Sequence, residues 1–301
     1  AGIIYVSHRL SEIFTIADRY TVFRDGGFIE TGRLADIDRR HLVRQIVGRE
    51  LNAGTRTAKT VDGETVLSVK NFGRQGEFQD ISLDVKRGEV VGIYGLIGSG
   101  RSEFLNCIFG ITKPETGSAT LLDKPIVAGE PGLAIRQGIS LITEDRKATG
   151  LVLTSSVAFN TTLSALPALS HAGYIDRKKD RSLMQSMIER MRVKAATPDM
   201  DVSGLSGGNQ QKVVLARCMA TQPICLLCDE PTRGIDEGAK REVYAFLADF
   251  AAKGGAVVVV SSEAPEVLEV SDRIAIFKKG HLSVVIDGHQ ASQEELLHLA
   301  S

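Results

Sequence analysis

The sequence has no tryptophan, only four cysteines and no long apolar run, and its charge is nearly balanced. Among 301 residues, 36 are Lys or Arg and 37 are Asp or Glu, which gives a formal net charge of −1. Such a balance argues against a partner held by bulk charge, such as nucleic acid or an acidic lipid surface. The apolar runs are short, whereas a membrane-spanning helix needs about 20 apolar residues, so we expect no membrane span.

The cysteines include one close pair, Cys225 and Cys228, at the C-x-x-C spacing of redox and metal sites. They lie in ICLLCDEP, an apolar run that predicts a buried strand, and no second pair is present to complete a zinc site. We interpret them as core residues, because free cysteine behaves as a small hydrophobe. Unpaired thiols suit a reducing cytosol.

Apolar strands alternate with helical stretches from about residue 66 onward. The runs EVVGIYG, GISLIT, ICLLCD and AVVVVSS are continuously apolar, which indicates a parallel sheet with crossover helices. VLSVKNF and ISLDVKRG, just before them, alternate like half-exposed strands. DRKKDRSLMQSMIERMRV predicts an amphipathic helix whose apolar stripe faces either the core or a docked partner.

The chain also contains an internal repeat. IIYVSHRLSEIFTIADRYTVFRDGGFIETG, near the start, matches VVVVSSEAPEVLEVSDRIAIFKKGHLSVVI, near the end. In this pattern GIIYVSH predicts a buried strand, and RYTVFRDGGFIETG predicts a hairpin. We expect residues 1–50 to be the end of a first domain, 51–64 a linker and 65–301 a second, complete domain. Since the chain starts within this pattern at Ala1, we expect it to be a fragment of a longer protein.

A glycine-rich loop follows one of the apolar strands, in GIYGLIGSGRSEF at residues 92–104. Gly95, Gly100 and Ser102 fit the pattern G-x-x-x-x-G-K-[ST], with Arg101 in the place of the lysine. Glycines let backbone N–H groups converge on phosphate oxygens, and the following helix offers its positive end. The loop therefore predicts a phosphate site, with the Ser102 hydroxyl on Mg²⁺; the alternative is a purely structural turn.

Two further motifs extend this prediction. Asp229 and Glu230 end an apolar strand, which fits a Mg²⁺-associated aspartate and a water-orienting glutamate, although adjacent acids at a strand end are often a solvated turn. In LSGGNQQKVVLARCM, Ser206 and two glycines open a helix, which predicts a second anion site.

Together these motifs resemble the ATP-binding subunits of ABC transporters. GLIGSGRS resembles the Walker A loop, LSGGNQQ the signature, ICLLCDE the Walker B strand and GID the D-loop. More narrowly, LSGGNQQKV, DEPTRGID, SSEAPEVLEVSDRI and TEDRKATGL resemble the second ATPase domain of tandem-domain importers of simple sugars. The resemblance implies an α/β fold of the P-loop NTPase, ABC type. It has a central, mainly parallel sheet, an antiparallel β subdomain and a helical subdomain that carries the signature.

The resemblance also implies roles for individual residues, with ATP and Mg²⁺ as cofactors. Glu230, Glu263 and His8 match catalytic positions, His8 being the switch histidine of the first domain. Ser102, Glu144 and Asp229 match the metal site. The implied ATP-binding residues, of which Phe72 would stack on adenine, are Phe72, Gly95, Leu96, Ile97, Gly98, Ser99, Gly100, Arg101, Ser102, Glu103, Ser206, Gly207, Gly208, Asn209 and Gln210.

Three positions depart from the family pattern. Arg101 replaces the loop lysine, Glu144 the Q-loop glutamine and Glu263 the switch histidine. Arginine is larger and planar, so we expect it to pair with phosphate oxygens from outside the loop. The two glutamates add negative charge beside a polyphosphate. We therefore expect this site to bind ATP and to hydrolyse it slowly or not at all, because phosphoryl transfer depends on positioning and charge neutralisation.

The resemblance finally implies partners. They are the first ATPase domain or a second copy of the chain, whose site this signature would complete, and membrane-spanning permease subunits. The implied location is peripheral, at the cytoplasmic face of the plasma (inner) membrane. Two alternatives remain open: a soluble ABC ATPase that works without a transporter, and a nucleotide-binding regulatory module without turnover. Which sugar is moved is not encoded in these motifs.

Overall fold

A computed structural model describes residues 2–6, 10–24, 27–38, 41, 42, 45 and 63–301. The strands are β1 (Arg19–Arg24), β2 (Gly27–Arg33), β3 (Thr65–Arg74), β4 (Phe78–Lys86), β5 (Val90–Gly95), β6 (Thr116–Leu121), β7 (Lys124–Pro125), β8 (Ile139–Ile142), β9 (Ser170–His171), β10 (Tyr174–Ile175), β11 (Cys225–Asp229), β12 (Ala256–Ser261), β13 (Arg273–Lys278) and β14 (His281–Asp287). The α-helices are α1 (Leu10–Ile16), α2 (Arg101–Phe109), α3 (Pro131–Gln137), α4 (Val157–Thr162), α5 (Leu166–Leu169), α6 (Arg177–Arg190), α7 (Gly207–Ala220), α8 (Glu237–Ala252), α9 (Ala264–Val270) and α10 (Gln293–Ala300).

Six strands form the central sheet, in the order β14-β13-β5-β12-β11-β8. All neighbours are parallel except the edge strand β14, which pairs antiparallel with β13. Every residue of β5, β11 and β12 is buried, as in parallel strands covered on both faces. The mainly parallel sheet is therefore confirmed. Its register brings the carboxyl ends of these three strands to one edge, where the predicted motifs begin.

A second, antiparallel sheet has the order β4-β3-β6-β7 and packs against the central one. The contact includes an aromatic cluster in which the ring of Phe72 stacks on Phe78 at a centroid distance of 5.9 Å and meets Phe104 edge-on. Phe72 is only 3% exposed. The expectation that it stacks on adenine is therefore wrong for this structure, because both neighbours hold the ring inside the core.

The chain between β8 and β11 forms a helical subdomain that includes α4 to α7. Met187 and Met191 are buried in the same core cluster as α7, so the apolar stripe of α6 faces the core. Leu183, on the same helix, lies partly buried beside a cleft between α3 and α5. Among the described residues, no helix is both long and apolar enough to cross a membrane.

The N-terminal region gives a mixed result. The predicted hairpin is confirmed, because β1 and β2 pair antiparallel. Residues 2–6 form no strand, and Ile3 and Ile4 are 89% and 95% exposed, so the predicted buried strand is wrong for this structure. An isolated strand has no neighbour to satisfy its backbone groups. His8 and residues 51–62 of the predicted linker lie outside the described residues.

Candidate nucleotide-binding site

The glycine loop connects the end of β5 at Gly95 with the start of α2 at Arg101, as predicted. Gly98 and Gly100 have φ values of +80° and +88°, in the left-handed region that favours glycine. A Cβ at Gly100 would stand 2.4 Å from the carbonyl oxygen of Glu77, whereas a Cβ at Gly98 would meet no atom within 4 Å. The loop is therefore packed on its inner side and open on its outer side, where a phosphate can approach the backbone.

The other loop side chains divide in the same way. Leu96 and Ile97 are exposed on the outer side, and Glu103 is exposed in the first turn of α2. Ser99 is buried, and its hydroxyl has no hydrogen-bond partner among the described residues. This hydroxyl lies on the packed side, 2.6 Å from the place that a Cβ at Gly95 would take. Ser102 is half-buried and hydrogen-bonds the carboxylate at the end of β11.

Asp229 is that carboxylate, and it is only 4% exposed. Its Oδ1 is buried and lacks a partner within the described part of the chain. Burial raises the pKa of Asp229 to about 6, although the hydrogen bond from Ser102 and the charge of Arg101 oppose this rise. An unpartnered carboxylate oxygen beside a serine hydroxyl fits Mg²⁺, which prefers oxygen ligands and keeps several waters. The described residues contain no cluster of three His, Cys, Asp or Glu that could hold a metal ion.

Arg101 lies inside the loop, at 8% exposure, and its Nη1 donates to the carbonyl oxygen of Ser261 at 2.8 Å. Burial lowers the pKa of Arg101, while the nearby carboxylates of Glu230 and Asp229 raise it. In this structure the guanidinium contacts the backbone of Ser261, and its predicted contact with a phosphate stays a prediction. The two carboxylates attract the long side chain inward, across the ends of β11 and β12.

Glu230 follows β11 and has a φ of +46°. Its Oε1 accepts a hydrogen bond from the backbone N–H of Ser262 at 2.7 Å, and its Oε2 lies 3.4 Å from the hydroxyl of Ser261. The same hydroxyl donates to the buried carboxylate of Glu266 at 2.6 Å, and the hydroxyl of Thr232 donates to the other oxygen of Glu266 at 2.7 Å. Glu230 is therefore held at the end of β12, beside Asp229. No local sequence pattern indicates Glu266, whose contacts with Ser261 and Thr232 are visible only in the structure.

Glu263 is predicted at the switch position, but a gap-free match of the two repeats points to its neighbour. β12 ends at Ser261, and Ser262 is the next residue along the chain. Matched without gaps, the two repeats place His8 opposite Ser262, one residue before Glu263. The side chain of Glu263 pairs with Nζ of Lys240 on α8 at 2.8 Å. The match therefore puts Ser262, and not Glu263, opposite His8, and the sequence alone is enough to show this.

Glu144 was a predicted metal ligand. In the structure its carboxylate forms an ion pair with the guanidinium of Arg233, in the loop after β11. Both side chains are largely exposed. The ion pair engages the carboxylate away from Ser102 and Asp229, so this structure brings only those two predicted metal ligands together.

The signature helix α7 begins as predicted. Ser206 is its N-cap, and the Ser206 hydroxyl accepts hydrogen bonds from the backbone N–H of Asn209 at 3.5 Å and from the Asn209 side chain at 3.1 Å. Gly207 is half-buried, and Gly208 is buried. Gln210 is only 5% exposed and donates to a backbone carbonyl oxygen at 3.3 Å, so its side chain lies inside the fold and does not face a ligand.

Comparison with known proteins shows the family. A model of the ABC transporter family matches residues 78–233, which include the glycine loop, the signature and the end of β11. The chain belongs to the ABC transporter family. ATP hydrolysis is the activity of this family.

Two relatives of the chain are sugar import ATP-binding proteins. The ribose import ATP-binding protein RbsA of Bacillus licheniformis is 42% identical over 300 residues, covering 100% of this chain and 61% of the relative. A putative ribose/galactose/methyl galactoside import ATP-binding protein of Pseudomonas fluorescens is also 42% identical, over 100% of this chain and 58% of its own length. The chain thus spans about three-fifths of the length of these relatives and is homologous to sugar import ATP-binding proteins.

Solved structures agree on the fold. The ATP-binding cassette MJ1267 of an ABC transporter has a TM-score of 0.68 and 21% identity, with 78% of this chain and 98% of that chain covered. The dimeric cassette MJ0796 has a TM-score of 0.64 and 23% identity, with 75% and 100% covered. At this identity the likeness shows the ABC ATPase fold alone.

Proposed function

We propose that this chain is part of the ATP-binding subunit of a sugar importer, and that its own site binds MgATP with slow or no hydrolysis. The observation that carries the proposal is the position of Arg101. Its buried guanidinium is already engaged by the Ser261 carbonyl and attracted by Glu230 and Asp229. A positive charge turned toward its own carboxylates neutralises a terminal phosphate less well, and phosphoryl transfer depends on that neutralisation.

Binding itself has support from two features of the site. The glycine loop is open at Gly98, and Asp229 carries an unpartnered carboxylate oxygen. Ser102 and Asp229 would hold Mg²⁺, which when bound neutralises phosphate charge. Deprotonation of Asp229 would accompany that binding, since its pKa near 6 is set by burial.

Slow hydrolysis has support from the residues at the end of β12. Ser262 provides a short hydroxyl where the first repeat has His8, so no imidazole can reach a terminal phosphate from this position. Glu263 is engaged by Lys240. Glu230, which would orient water, is hydrogen-bonded to the Ser262 backbone. The site thus keeps the glycine loop, Ser102 and Asp229, which serve binding. It lacks the loop lysine and the switch histidine, which serve turnover.

The domain organisation is part of the same proposal. Residues 1–50 would end a first ATPase domain, residues 51–64 would form a linker, and residues 65–301 would form the second domain. In this arrangement the signature, residues 206–210, completes the site of the first domain, in which His8 is the switch. The relatives are longer than this chain, which leaves room for such a first domain.

Permease subunits at the cytoplasmic face of the inner membrane would be the partners that carry the sugar. A cleft of about 720 Å³ between α3, α5 and α6 offers them a surface that combines apolar and basic residues. Leu169, Leu183, Arg136 and Lys179 are among its lining residues. Copurification of the chain with membrane subunits tests this part of the proposal.

The test of the proposed site is a MgATP titration of the 301-residue chain, with phosphate release followed in the same sample. We expect saturable binding that requires Mg²⁺, without sustained turnover. The matched control is Asp229→Asn, which should bind MgATP much more weakly, because the metal needs the ionised carboxylate. Turnover at an ordinary transporter rate that Glu230→Gln abolishes would show that the site is an active ATPase and that the proposal is wrong.

A further inference from the structure

We propose that Arg146 is a positioning residue that fixes the start of the signature helix α7 against the loop after β11. The inference rests on the proposed function for the reaction that it affects, namely hydrolysis at the composite site completed by this signature. The fixation itself rests only on contacts within this chain.

The guanidinium of Arg146 reaches three groups at once. Its Nη1 donates to the carbonyl oxygen of Arg233 at 2.6 Å, and its Nη2 donates to the carbonyl oxygen of Gly234 at 3.0 Å. Its Nε lies 3.4 Å from Oε1 of Gln210, on α7. The planar fork of arginine suits such simultaneous bonds, which a lysine ammonium cannot reproduce. One side chain therefore joins the loop after β8, the loop after β11 and the signature helix.

The backbone that carries Arg146 is itself fixed. Arg146 begins a short π-helical turn, and the Asp145 carboxylate accepts hydrogen bonds from two backbone N–H groups of this turn, at 2.8 and 3.1 Å. Glu144, two residues before Arg146, forms the ion pair with the side chain of Arg233. The two loops are thus joined twice, once between side chains and once from a side chain to the backbone.

The two glycines at the start of α7 indicate how close this junction is. A Cβ at Gly207 would stand 2.8 Å from Nη2 of Arg146 and 3.1 Å from the carbonyl oxygen of Gly234. A Cβ at Gly208 would stand 2.8 Å from the Cβ of Ala239 on α8. A Cβ at either position would force a neighbouring group to shift, the guanidinium of Arg146 in one case and Ala239 in the other. Part of the need for glycine in the signature therefore comes from packing within this chain, independent of any nucleotide.

Among the described residues, hydrogen bonds and no ion pair fix the guanidinium of Arg146. Its close acceptors are the neutral oxygens named above, and the charge that acts on it is that of Asp145. Burial lowers the pKa of Arg146, although arginine remains protonated at any physiological pH. The junction should therefore be insensitive to pH and sensitive to the shape of the side chain.

Amide hydrogen exchange tests the fixation directly in the 301-residue chain. In Arg146→Ala we expect the amides of residues 210–213, the first that donate within α7, to exchange about tenfold faster, because the hydrogen bonds that hold the start of the helix are lost. Arg146→Lys should behave nearly like Arg146→Ala, because it keeps the charge and loses the fork. The control Lys147→Ala changes the exposed neighbour and should leave this exchange unchanged. Unchanged exchange in Arg146→Ala, or full rescue by Arg146→Lys, would overturn the inference.

A double-mutant cycle gives a second, independent test. Gly207→Ala should disturb α7 strongly when Arg146 is present, because the added Cβ meets its Nη2. In the Arg146→Ala background the same substitution should increase exchange much less. Residues in contact show such non-additive effects, whereas independent sites do not. Strictly additive effects would contradict the contact between Arg146 and the first turn of α7.

ATP turnover by the assembled transporter tests whether the position of the start of α7 affects hydrolysis. A misplacement of about 1 Å can reduce a rate about 100-fold, so we expect Arg146→Ala to lower kcat at the composite site by about 10- to 100-fold. Binding of ATP to the glycine loop of this chain should not change. If Arg146→Ala loosens α7 without affecting turnover, the positioning role is wrong. If the wild-type transporter shows no turnover, the proposed function is wrong, and the exchange experiment alone decides on the fixation.

Discussion

At the scale of single residues, the partners of the long charged side chains determine which groups of the site are available to a nucleotide. Ser102 and Asp229 lie together as their motif positions predicted, because each is fixed by a strand end or a helix start. Arg101, Glu144 and Glu263 instead turn to partners within the chain, namely the Ser261 carbonyl, Arg233 and Lys240. These partners are distant in sequence, so no local pattern could have indicated them.

The buried carboxyl of Asp229 should make stability depend on pH. Its pKa is near 6 in the folded chain and 3.8 when solvated, so the folded state binds more protons between these values. The contribution of the protonated Asp229 to the free energy of unfolding is therefore complete below about pH 4. It is lost as pH rises through 6, to a total of about 3 kcal/mol. Asp229→Asn cannot ionise and should be more stable than the wild type at pH 7.5 without Mg²⁺, and not at pH 3.5.

Urea unfolding at these two pH values measures the difference between Asp229→Asn and the wild type. MgATP should stabilise the wild type at pH 7.5 and have little effect on Asp229→Asn, because the bound metal needs the ionised carboxylate. An equal difference in unfolding free energy at both pH values would show that Asp229 does not titrate in this range.

Glu263 should matter little for the nucleotide site. Its carboxylate is 58% exposed and pairs with Lys240, and exposed ion pairs contribute about 0.2–1 kcal/mol. We expect Glu263→Gln to change the free energy of unfolding by less than about 1 kcal/mol and to leave ATP affinity unchanged. Ser262→Arg, one residue earlier, should alter ATP affinity, because this position meets Glu230. Isothermal titration of both variants checks the corrected register; a larger effect at Glu263 would restore the original assignment.

At the scale of elements, the sequence was informative about strands and the first turns of helices. β5, β11 and β12 were predictable because burial on both faces requires apolar residues throughout, and that pattern is local. The start of α7 was predictable from the Ser206 cap and the glycines after it. Arg146 was not, because its main acceptors are backbone carbonyls, which every sequence has. The burial of Phe72 likewise depends on rings from other elements.

The burial of β11 gives a prediction about its thiols. Cys225 and Cys228 are fully buried, and burial raises the pKa of Cys225 to about 12. The same holds for Cys218 on α7, while Cys107 on α2 is also buried. Because the thiolate is the reactive species, we expect a thiol reagent at pH 8 to label no cysteine in the native chain and all four after unfolding.

Labelling of the native chain with and without denaturant measures this reactivity. Rapid reaction of two thiols before unfolding, or binding of one equivalent of zinc, would instead favour chemistry at the C-x-x-C pair. The interpretation of these cysteines as core residues would then be wrong.

At the scale of the whole molecule, the two repeats differ in what surrounds them. The second repeat begins with β12, which lies between β5 and β11 and is buried at every residue. The corresponding residues of the first repeat include Ile3, Ile4 and Val6, and they are exposed and form no strand. Similar sequence therefore gives a strand in one place and none in the other. The difference is the presence of neighbouring strands, which supply both hydrogen bonds and an apolar cover.

This contrast predicts how residues 2–6 respond to a first domain. In the 301-residue chain their amides should exchange at nearly the rate of an unstructured peptide, whereas the amides of residues 257–260 should be strongly protected. In a longer protein that includes the proposed first domain, residues 2–6 should become protected as well, since they would gain neighbouring strands. The second repeat serves as the internal control in both samples. Strong protection of residues 2–6 in the shorter chain, or none in the longer protein, would contradict the proposed domain organisation without affecting the glycine-loop site.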